Sequence, residues 1–168
     1  MTRLPAEFWI KHLNLSKHIE GGYFSEVYRS PVHFDKEALP KEFNGNRSAC
    51  THIFFLLEKE QFSAFHRIRS DELWHFYAGS PLIVYEIEQN GALTKHLLGN
   101  DPQSGQSFFC FIKAGNWFAS KLAEKNEYAL VGCTVSPGFD FADFEMARKE
   151  ELLRKYPQHA EFINQLSN

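Results

Sequence analysis

The sequence predicts an all-β fold, an antiparallel sandwich or barrel, and three observations lead to that prediction. Short stretches rich in aromatic and branched side chains, roughly nine of them, recur about every 8 to 12 residues with turn residues between. Asn90-Gly91 separates two of these stretches, which is a strong signal for a β-hairpin. Helical patterns do not alternate with the strands, and this argues against a parallel α/β sheet.

The predicted strands follow one another from Tyr23 to Val135. In chain order they are YFSEVYRS, ACTHIFFLLE, QFSAFHRI, ELWHFYAG, PLIVYEIE, LTKHLLG, QSFFCFIKAG, WFASKL and YALVGCTV. A short helix is expected before them, over Pro5 to Leu13, because apolar residues fall there at helical spacing and proline suits a first turn.

A helical period returns after the last strand. FEMARKEELLRKY carries apolar residues among charges, Pro157 interrupts it, and QHAEFINQL predicts one more short helix. We therefore expect one domain over residues 1–168, with a barrel at about 21–136 and a helical tail at about 140–166.

Composition narrows the class of protein. The 168 residues carry a formal charge of −3 and no basic stripe, which argues against a nucleic-acid partner. The run Ile53 to Leu57 is too short to cross a membrane, and the N-terminus shows no signal-peptide pattern. The cysteines are odd in number and are not spaced like a zinc cluster, so three reduced thiols in a cytoplasmic protein are expected.

One stretch carries residues at the spacing of a known motif. FSAFHRIRSDELWHFYAGS resembles the first cupin motif, G-x5-H-x-H-x3-E-x6-G, in which His66, Glu72 and Gly79 hold the first His, the Glu and the last Gly. Ile68 stands where the second His belongs, and Glu60 stands where the first Gly belongs.

A second stretch, KAGNWF, partly matches the second cupin motif, G-x5-P-x-G-x2-H-x3-N. Gly115 is kept, whereas Lys113 replaces the proline and Phe118 replaces the histidine. With EGGYFSEVYRS, RSACTHIFFLL and ALVGCTVSPGFDFADFE, almost the whole chain resembles the cupin-5 (DUF985) family. That resemblance implies a double-stranded β-helix, or jelly-roll barrel, with a short N-terminal helix and C-terminal helices, often as a homodimer; it implies no settled activity.

The resemblance implies a small-molecule cavity in the barrel. The motif side chains of His66, Ile68, Glu72 and Phe118 would point inward. Strand alternation places two more residues, Trp74 and Phe76, on the same face as Glu72. We therefore expect His66 and Glu72 to meet a ligand among aromatic walls formed by Trp74, Phe76 and Phe118.

A metal is not expected in this cavity. Catalytic metal sites usually take three or more protein ligands, and only His66 and Glu72 are ligands at the motif positions. The expected cofactor is therefore none. The alternative is a weak divalent transition-metal site that uses His66 and Glu72.

The function that the sequence favours is small-molecule binding in the barrel, and the residues leave open whether the protein is an enzyme. If it is one, the first choice of reaction is metal-independent proton transfer by His66 with Glu72. An isomerase or epimerase of a polar or carbohydrate-like ligand would use such a pair. A non-catalytic ligand-binding module is the alternative. A metal-dependent oxygenase is a further one, and Ile68 and Phe118 count against it.

Two arginines are candidate ligand-binding residues, since Arg29 or Arg47 can grip an anionic group through two hydrogen bonds. The alternative for Arg29 is a solvated charge on a strand edge. A homodimer is also expected, because 17 Phe and 3 Trp in 168 residues are more aromatic surface than one small barrel readily encloses.

Overall fold

The computed structural model describes residues 4–125 and 127–167, and these form two packed β-sheets with short helices at either end. The elements in chain order are α1 (Ala6–His12), β1 (Ser16–Lys17), β2 (Tyr23–Arg29), β3 (His33–Phe34), β4 (Arg47–Ser48), β5 (Thr51–Glu58), β6 (Phe62–Arg67), β7 (Asp71–Gly79), β8 (Leu82–Ile87), β9 (Leu93–Leu98), β10 (Phe109–Ile112), β11 (Trp117–Leu122), β12 (Tyr128–Ser136), β13 (Glu145–Met146), α2 (Lys149–Lys155) and α3 (Ala160–Gln165).

The two large sheets are antiparallel throughout. One has six strands in the order β1-β2-β5-β12-β7-β10, and the other has five in the order β13-β6-β11-β8-β9. Strands β3 and β4 form a separate pair. Strands β5 and β12 are hydrogen-bonded neighbours although they are far apart in the sequence, so the chain crosses between the sheets on its way from one to the other. The predicted all-β antiparallel architecture is confirmed.

The core lies between the sheets because each strand alternates its side chains. On β7, Glu72, Trp74 and Phe76 are buried, whereas Tyr77 on the opposite face is exposed. The expected inward direction of these three residues is therefore confirmed. Their apolar members join Phe118 in a single buried cluster that spans both sheets.

The hairpin predicted at Asn90-Gly91 joins β8 to β9. Gly91 has a φ of +87°, a conformation that side chains disfavour, and its N–H bonds back to the Glu88 carbonyl. Asn90 accepts a hydrogen bond from the Ala92 N–H at 2.8 Å. The turn chemistry of the sequence therefore sets this register.

Helices cover the outer faces of the sheets unequally. Leu152 of α2 and Ile163 of α3 pack on Phe65, Tyr85 and other outer residues of the five-stranded sheet. Helix α1 covers only one end of the six-stranded sheet, around Leu56. Much of that sheet's outer face therefore stays uncovered.

The C-terminal helical pattern begins later than the sequence predicts. Glu145 and Met146, which the pattern places in a helix, form β13 and pair with Arg67 and His66 of β6. Helix α2 then runs from Lys149. These two residues therefore pair with the edge of a sheet although the local sequence pattern is helical. No local pattern predicts such a long-range pairing.

The cysteines are all free thiols. Cys110 and Cys133 are buried, as expected, whereas Cys50 is only half-buried. Among the described residues, no helix is long and apolar enough to span a membrane.

Candidate functional site

A cavity of about 290 Å³ opens between the two sheets, beside β2 and the segment that follows β12. Side chains from both sheets and from both flanking segments line it. They are His18, Glu20, Phe24, Glu26, Arg29, Thr51, Ile53, His66, Ile68, Glu72, Cys133, Val135, Phe139, Asp140, Phe141 and Phe144.

His66 lies at the floor of this cavity as half of a buried ion pair. Its Nδ1 is 2.7 Å from the Ala64 carbonyl oxygen, and its Nε2 is 3.0 Å from Oε2 of Glu20. Both neighbours are acceptors, so both ring nitrogens carry protons. Burial alone would lower the pKa of His66, but the charge and the hydrogen bond of Glu20 outweigh it and the pKa is raised.

Glu20 is the other half of the pair. Burial opposes its charge, but the His66 imidazolium and the hydroxyl of Ser63, which donates to Oε1 at 2.9 Å, hold its pKa below the ordinary value. We expected His66 to act together with Glu72. The structure pairs His66 with Glu20 and the Ala64 carbonyl instead.

A glycine turn brings Glu20 to the cavity. Gly21 has a φ of +114°, and a Cβ there would collide with the Phe62 carbonyl. The chain therefore passes close against β6, and the Glu20 carbonyl accepts the Ala64 N–H at 2.8 Å. Two backbone constraints thus hold Glu20 next to His66.

His18 sits beside this pair in its neutral form. Its Nδ1 accepts the backbone N–H of Glu20 at 3.3 Å, so the ring proton lies on Nε2. Burial lowers the pKa of His18, the Glu20 carboxylate opposes that effect, and the charge of His66 adds to it. The ring meets Phe24 edge-on at 4.5 Å.

Glu72 faces the same cavity without a strong partner. It is 8% exposed, and among the described residues only the thiol of Cys133 forms a side-chain hydrogen bond with it. Burial raises the pKa of Glu72 to about 7, although the nearby positive charge of His66 opposes the rise. The pKa of Cys133 is raised by burial and by Glu72, so its sulfur stays protonated and can donate. Glu72 can therefore hold or release a proton near neutral pH.

Arg29 lies at the mouth of the cavity, where it is already engaged. Its guanidinium donates to both carboxylate oxygens of Glu26, at 2.8 and 2.7 Å, and also to the Phe139 carbonyl. The expected anion grip would require this fork to be released.

Arg47 is buried away from the cavity and does not line it. It donates to both oxygens of Asp143, at 2.7 and 2.8 Å, and is 5% exposed. We expected Arg47 among the ligand-binding residues, and the structure places it elsewhere. The Asp143 carboxylate, from a distant part of the chain, already accepts hydrogen bonds from its guanidinium. Arg47 instead fixes the segment that contains Asp143.

That segment, residues 139–144, forms the aromatic wall of the cavity. The Phe139 N–H donates to Thr51 Oγ1 at 3.0 Å. The rings of Phe139, Phe141 and Phe144 meet one another edge-on, at 5.1 to 6.1 Å between centroids. The Thr51 hydrogen bond and the Arg47–Asp143 pair thus hold three aromatic rings at the cavity.

Three aromatic residues that we expected in the wall of the cavity lie behind that wall instead. They are Trp74, Phe76 and Phe118. All are buried, and none of them lines the cavity. The Phe118 ring packs against His66 at 4.0 Å, and the Trp74 ring meets Phe118 edge-on at 6.3 Å. Side chains fill the space between the sheets at this depth. These residues therefore pack beneath the floor of the cavity and do not line its open space.

The donor set does not fit a catalytic metal. Ile68 lines the cavity at the position of the second motif histidine, and both nitrogens of His66 are hydrogen-bonded. Within the described ranges, no group of three or more His, Cys, Asp or Glu side chains is arranged to hold an ion. No chemical step is therefore derived through a metal.

Comparisons with known proteins agree with this architecture. A sequence profile described as "Cupin superfamily (DUF985)" matches residues 7–147. The Saccharomyces cerevisiae protein named "Uncharacterized protein YML079W" is 29% identical over 157 residues, which cover 86% of this chain and 76% of that protein.

Solved structures extend the likeness. A protein named SO0799 from Shewanella oneidensis is 39% identical, with a TM-score of 0.89 over 98% of both chains. A hypothetical protein from Leishmania major is 36% identical, with a TM-score of 0.88 over 98% of this chain and 99% of that one. A variant of Bacillus subtilis oxalate decarboxylase shares the fold alone, at 15% identity and a TM-score of 0.54 over 89% of this chain and 36% of that one.

Proposed function

Because this chain belongs to the cupin superfamily, in the DUF985 family, we propose that its cavity binds a small organic molecule and that Glu72 exchanges a proton with it. One observation carries this proposal. The Glu72 carboxyl is buried, faces the cavity and has only a thiol as its side-chain hydrogen-bond partner among the described residues. A polar group of this kind in a largely apolar cavity is what orients a ligand.

The catalytic form of the proposal is a metal-independent isomerase of a polar or carbohydrate-like ligand. Ionised Glu72 would take a proton from a hydroxyl-bearing carbon next to a carbonyl, and neutral Glu72 would return it to the carbonyl carbon while the hydroxyl proton moves to the carbonyl oxygen. The negative charge that develops on the ligand between these steps would be stabilised by the His66 imidazolium. One carboxyl suffices for such a shift, so the reaction balances without a further reactant.

An epimerase would need a second group on the opposite face of the ligand. His66 would have to supply that proton, and its Nε2 is occupied by Glu20. The geometry therefore supports isomerisation better than epimerisation. The non-catalytic alternative uses the same cavity without turnover. An oxygenase is disfavoured by Ile68 and Phe118, which cannot bind a metal.

The test combines binding with isotope exchange. A thermal-shift screen of uncharged sugars and heterocycles would first find ligands that raise the melting temperature of the wild type. Each ligand would then be incubated in D₂O and followed by NMR for loss of carbon-bound hydrogen. We expect exchange in the wild type and a loss of roughly 100-fold or more in Glu72→Gln, the usual range for a general acid or base.

Glu37→Gln is the matched control, because Glu37 is exposed and does not line the cavity. Binding without exchange would favour the non-catalytic alternative. Ligands that stabilise wild type and Glu72→Gln equally, with equal exchange, would contradict the proposal.

We also propose that no metal is required. The expected result is well under one equivalent of transition metal in protein purified without added metal, because Ile68 and Phe118 occupy ligand positions. Elemental analysis that finds a near-stoichiometric metal, lost in His66→Ala, would contradict it.

We propose a homodimer through the uncovered face of the six-stranded sheet. One row of cross-strand neighbours on this face contains no acid, no lysine and no arginine. Its members are Phe111, Leu73, Thr134, His52 and Tyr28. A chain of net charge −3 repels its own copy least at such a face.

Side chains of this face also bond to one another. His52 is 2.7 Å from the Thr134 hydroxyl and 3.1 Å from that of Tyr77, and a Cβ at Gly132 would collide with both rings. An aromatic surface whose polar groups are already bonded suits a second copy related by a twofold axis.

Light scattering should therefore give about twice the chain mass of 19.5 kDa. Phe109→Asp combined with Phe111→Asp should give the monomer, whereas Phe34→Asp, at an exposed ring on β3, should not. A wild-type monomer at micromolar protein would contradict the proposal. The three free thiols support a cytoplasmic location, which we also propose.

A further inference from the structure

The charges that line the cavity are unbalanced. Its acids are Glu20, Glu26, Glu72 and Asp140. Its cations, among the described lining residues, are His66 and Arg29, and each already forms an ion pair with a carboxylate. An anionic ligand would therefore meet no unpaired positive charge.

The third basic side chain does not change this balance. His18 accepts the Glu20 N–H through Nδ1, and burial lowers its pKa, so it stays neutral. The carboxylate of Asp140 at the mouth accepts only the backbone N–H of Ala142, at 2.8 Å, among the hydrogen bonds of the described residues. The acids that line the cavity therefore outnumber its cations.

Glu72 is the acid for which the protein supplies no cation of its own. The groups that face it are His66, Glu20 and Cys133, and His66 is committed to Glu20. More than nine-tenths of Glu72 is buried, so its ionised form would be a costly lone charge. A cation brought by the ligand would remove that cost.

The aromatic part of the lining suits a cation as well. Phe24, Phe139, Phe141 and Phe144 line the cavity, and the faces of aromatic rings attract ammonium groups. Acids and aromatic rings in one cavity are complementary to an organic ammonium ion with an apolar or ring portion.

We propose that the ligand of this cavity carries a protonated amine that pairs with Glu72 while its apolar portion packs against the segment 139–144. This inference rests on the proposed function, because it names the ligand class of the same site. The amine stays protonated, and Glu72 releases to water the proton that it holds when the cavity is empty. At pH 6 the complex should therefore release up to one proton per ligand.

The probes are benzylammonium, benzyl alcohol and benzoate, three ligands of one shape that differ in charge. Calorimetry at pH 6 in two buffers of different ionisation enthalpy measures both affinity and proton release. We expect benzylammonium to bind the wild type about tenfold or more tightly than benzyl alcohol, and benzoate to bind weakest.

Glu72→Gln should bring benzylammonium to within about threefold of benzyl alcohol and abolish proton release. The matched control, Glu37→Gln, should behave as the wild type. Equal or tighter binding of benzoate, or an ammonium preference that survives Glu72→Gln, would overturn the inference.

The two proposals fail differently. Benzyl alcohol that binds as well as benzylammonium would leave the cavity as a ligand site and overturn only its preference for amines. If none of the three probes binds, the ammonium inference is wrong and the cavity loses its support as a site for ring-sized ligands.

Discussion

Glu20 and Glu86 are each paired with a histidine in the same sandwich, through His66 and His96, and these two pairs have different consequences. Glu20 and His66 are 3.0 Å apart at the floor of the cavity. Glu86 and His96 are 2.8 Å apart on neighbouring strands β8 and β9, and neither lines the cavity. Pairing alone therefore does not mark a functional site.

The surroundings of the second pair explain its role. Glu86 also accepts hydrogen bonds from the Asn116 amide at 2.7 Å and from the Lys113 N–H at 3.3 Å. Burial would raise the pKa of Glu86, but these donors and His96 lower it. Glu86 thus ties the turn before β11 to the sheet, and no acid is left for a ligand.

The first pair differs because a further acid adjoins it. His66 and Glu20 neutralise each other, whereas Glu72 beside them has no counter-charge of its own. The contrast teaches that the acid without a counter-charge, and not the best-bonded pair of a cluster, is the group at which to propose a ligand contact.

Removing one member of the inner pair should have the largest effect. His66→Ala leaves Glu20 buried without its cation, with the Ser63 hydroxyl as its remaining side-chain donor, so the free energy of unfolding at pH 7 should fall by about 3 to 5 kcal/mol. Urea unfolding measures this change. Adding Glu20→Gln to His66→Ala should restore part of the loss, because the buried charge is gone. A loss below about 1 kcal/mol would mean that the pair is not buried as described.

Glu72 should give the next largest effect, and it depends on pH. Its pKa is about 7 in the folded chain and 4.5 ordinarily, so the folded state binds the proton more tightly. Stability therefore falls as pH rises from 4.5 to above 7, by about 3 kcal/mol relative to Glu72→Gln.

Unfolding of both proteins at pH 5 and pH 8 measures that difference. Glu72→Gln should gain on the wild type at the higher pH. Parallel pH profiles would show that Glu72 titrates normally.

The outer pair should respond less than the inner one. In His96→Ala, Glu86 keeps Asn116 and the Lys113 N–H, so we expect a loss of about 1 to 2 kcal/mol in the free energy of unfolding. The same urea series measures it beside His66→Ala. Equal losses in the two variants would erase the distinction between the pairs.

The smallest effect on stability is expected at Phe141, which is 61% exposed at the cavity wall. Phe141→Ala should change the free energy of unfolding by less than about 0.5 kcal/mol. It should weaken a ring-containing ligand by roughly 2- to 10-fold, the range for an aromatic contact. Unchanged ligand affinity would remove this ring from the site.

Local patterns and motif spacing predicted the fold and part of the site. Alternation on β7 placed Glu72, Trp74 and Phe76 on the inner face, and the first motif placed His66 and Glu72 at one cavity. Strand alternation does not show, however, how far each inward-facing side chain lies from the open cavity. It could not show that Trp74 and Phe76 lie in the filled core while Glu72 reaches open space.

The residues that sequence reasoning missed are held by long-range contacts. Glu20 precedes the predicted barrel, and only Gly21-Gly22 indicated a tight turn there. The pairing of Arg47 with Asp143 joins distant parts of the chain through one fork of hydrogen bonds. Neither hydrophobic periodicity nor motif spacing predicts such a contact, so we expected Arg47 to be free to bind a ligand.

The cavity draws on chain segments that lie on both sides of the strand array. Glu20 precedes β2, and residues 139–144 follow β12. A chain trimmed to residues 21–136 would keep His66 and Glu72 but lose their partner and the aromatic wall. Part of the cavity lining is thus encoded outside the stretch that forms most of the strands, so substitutions in two peripheral segments can change the shape of the cavity while the strand order is inherited unchanged.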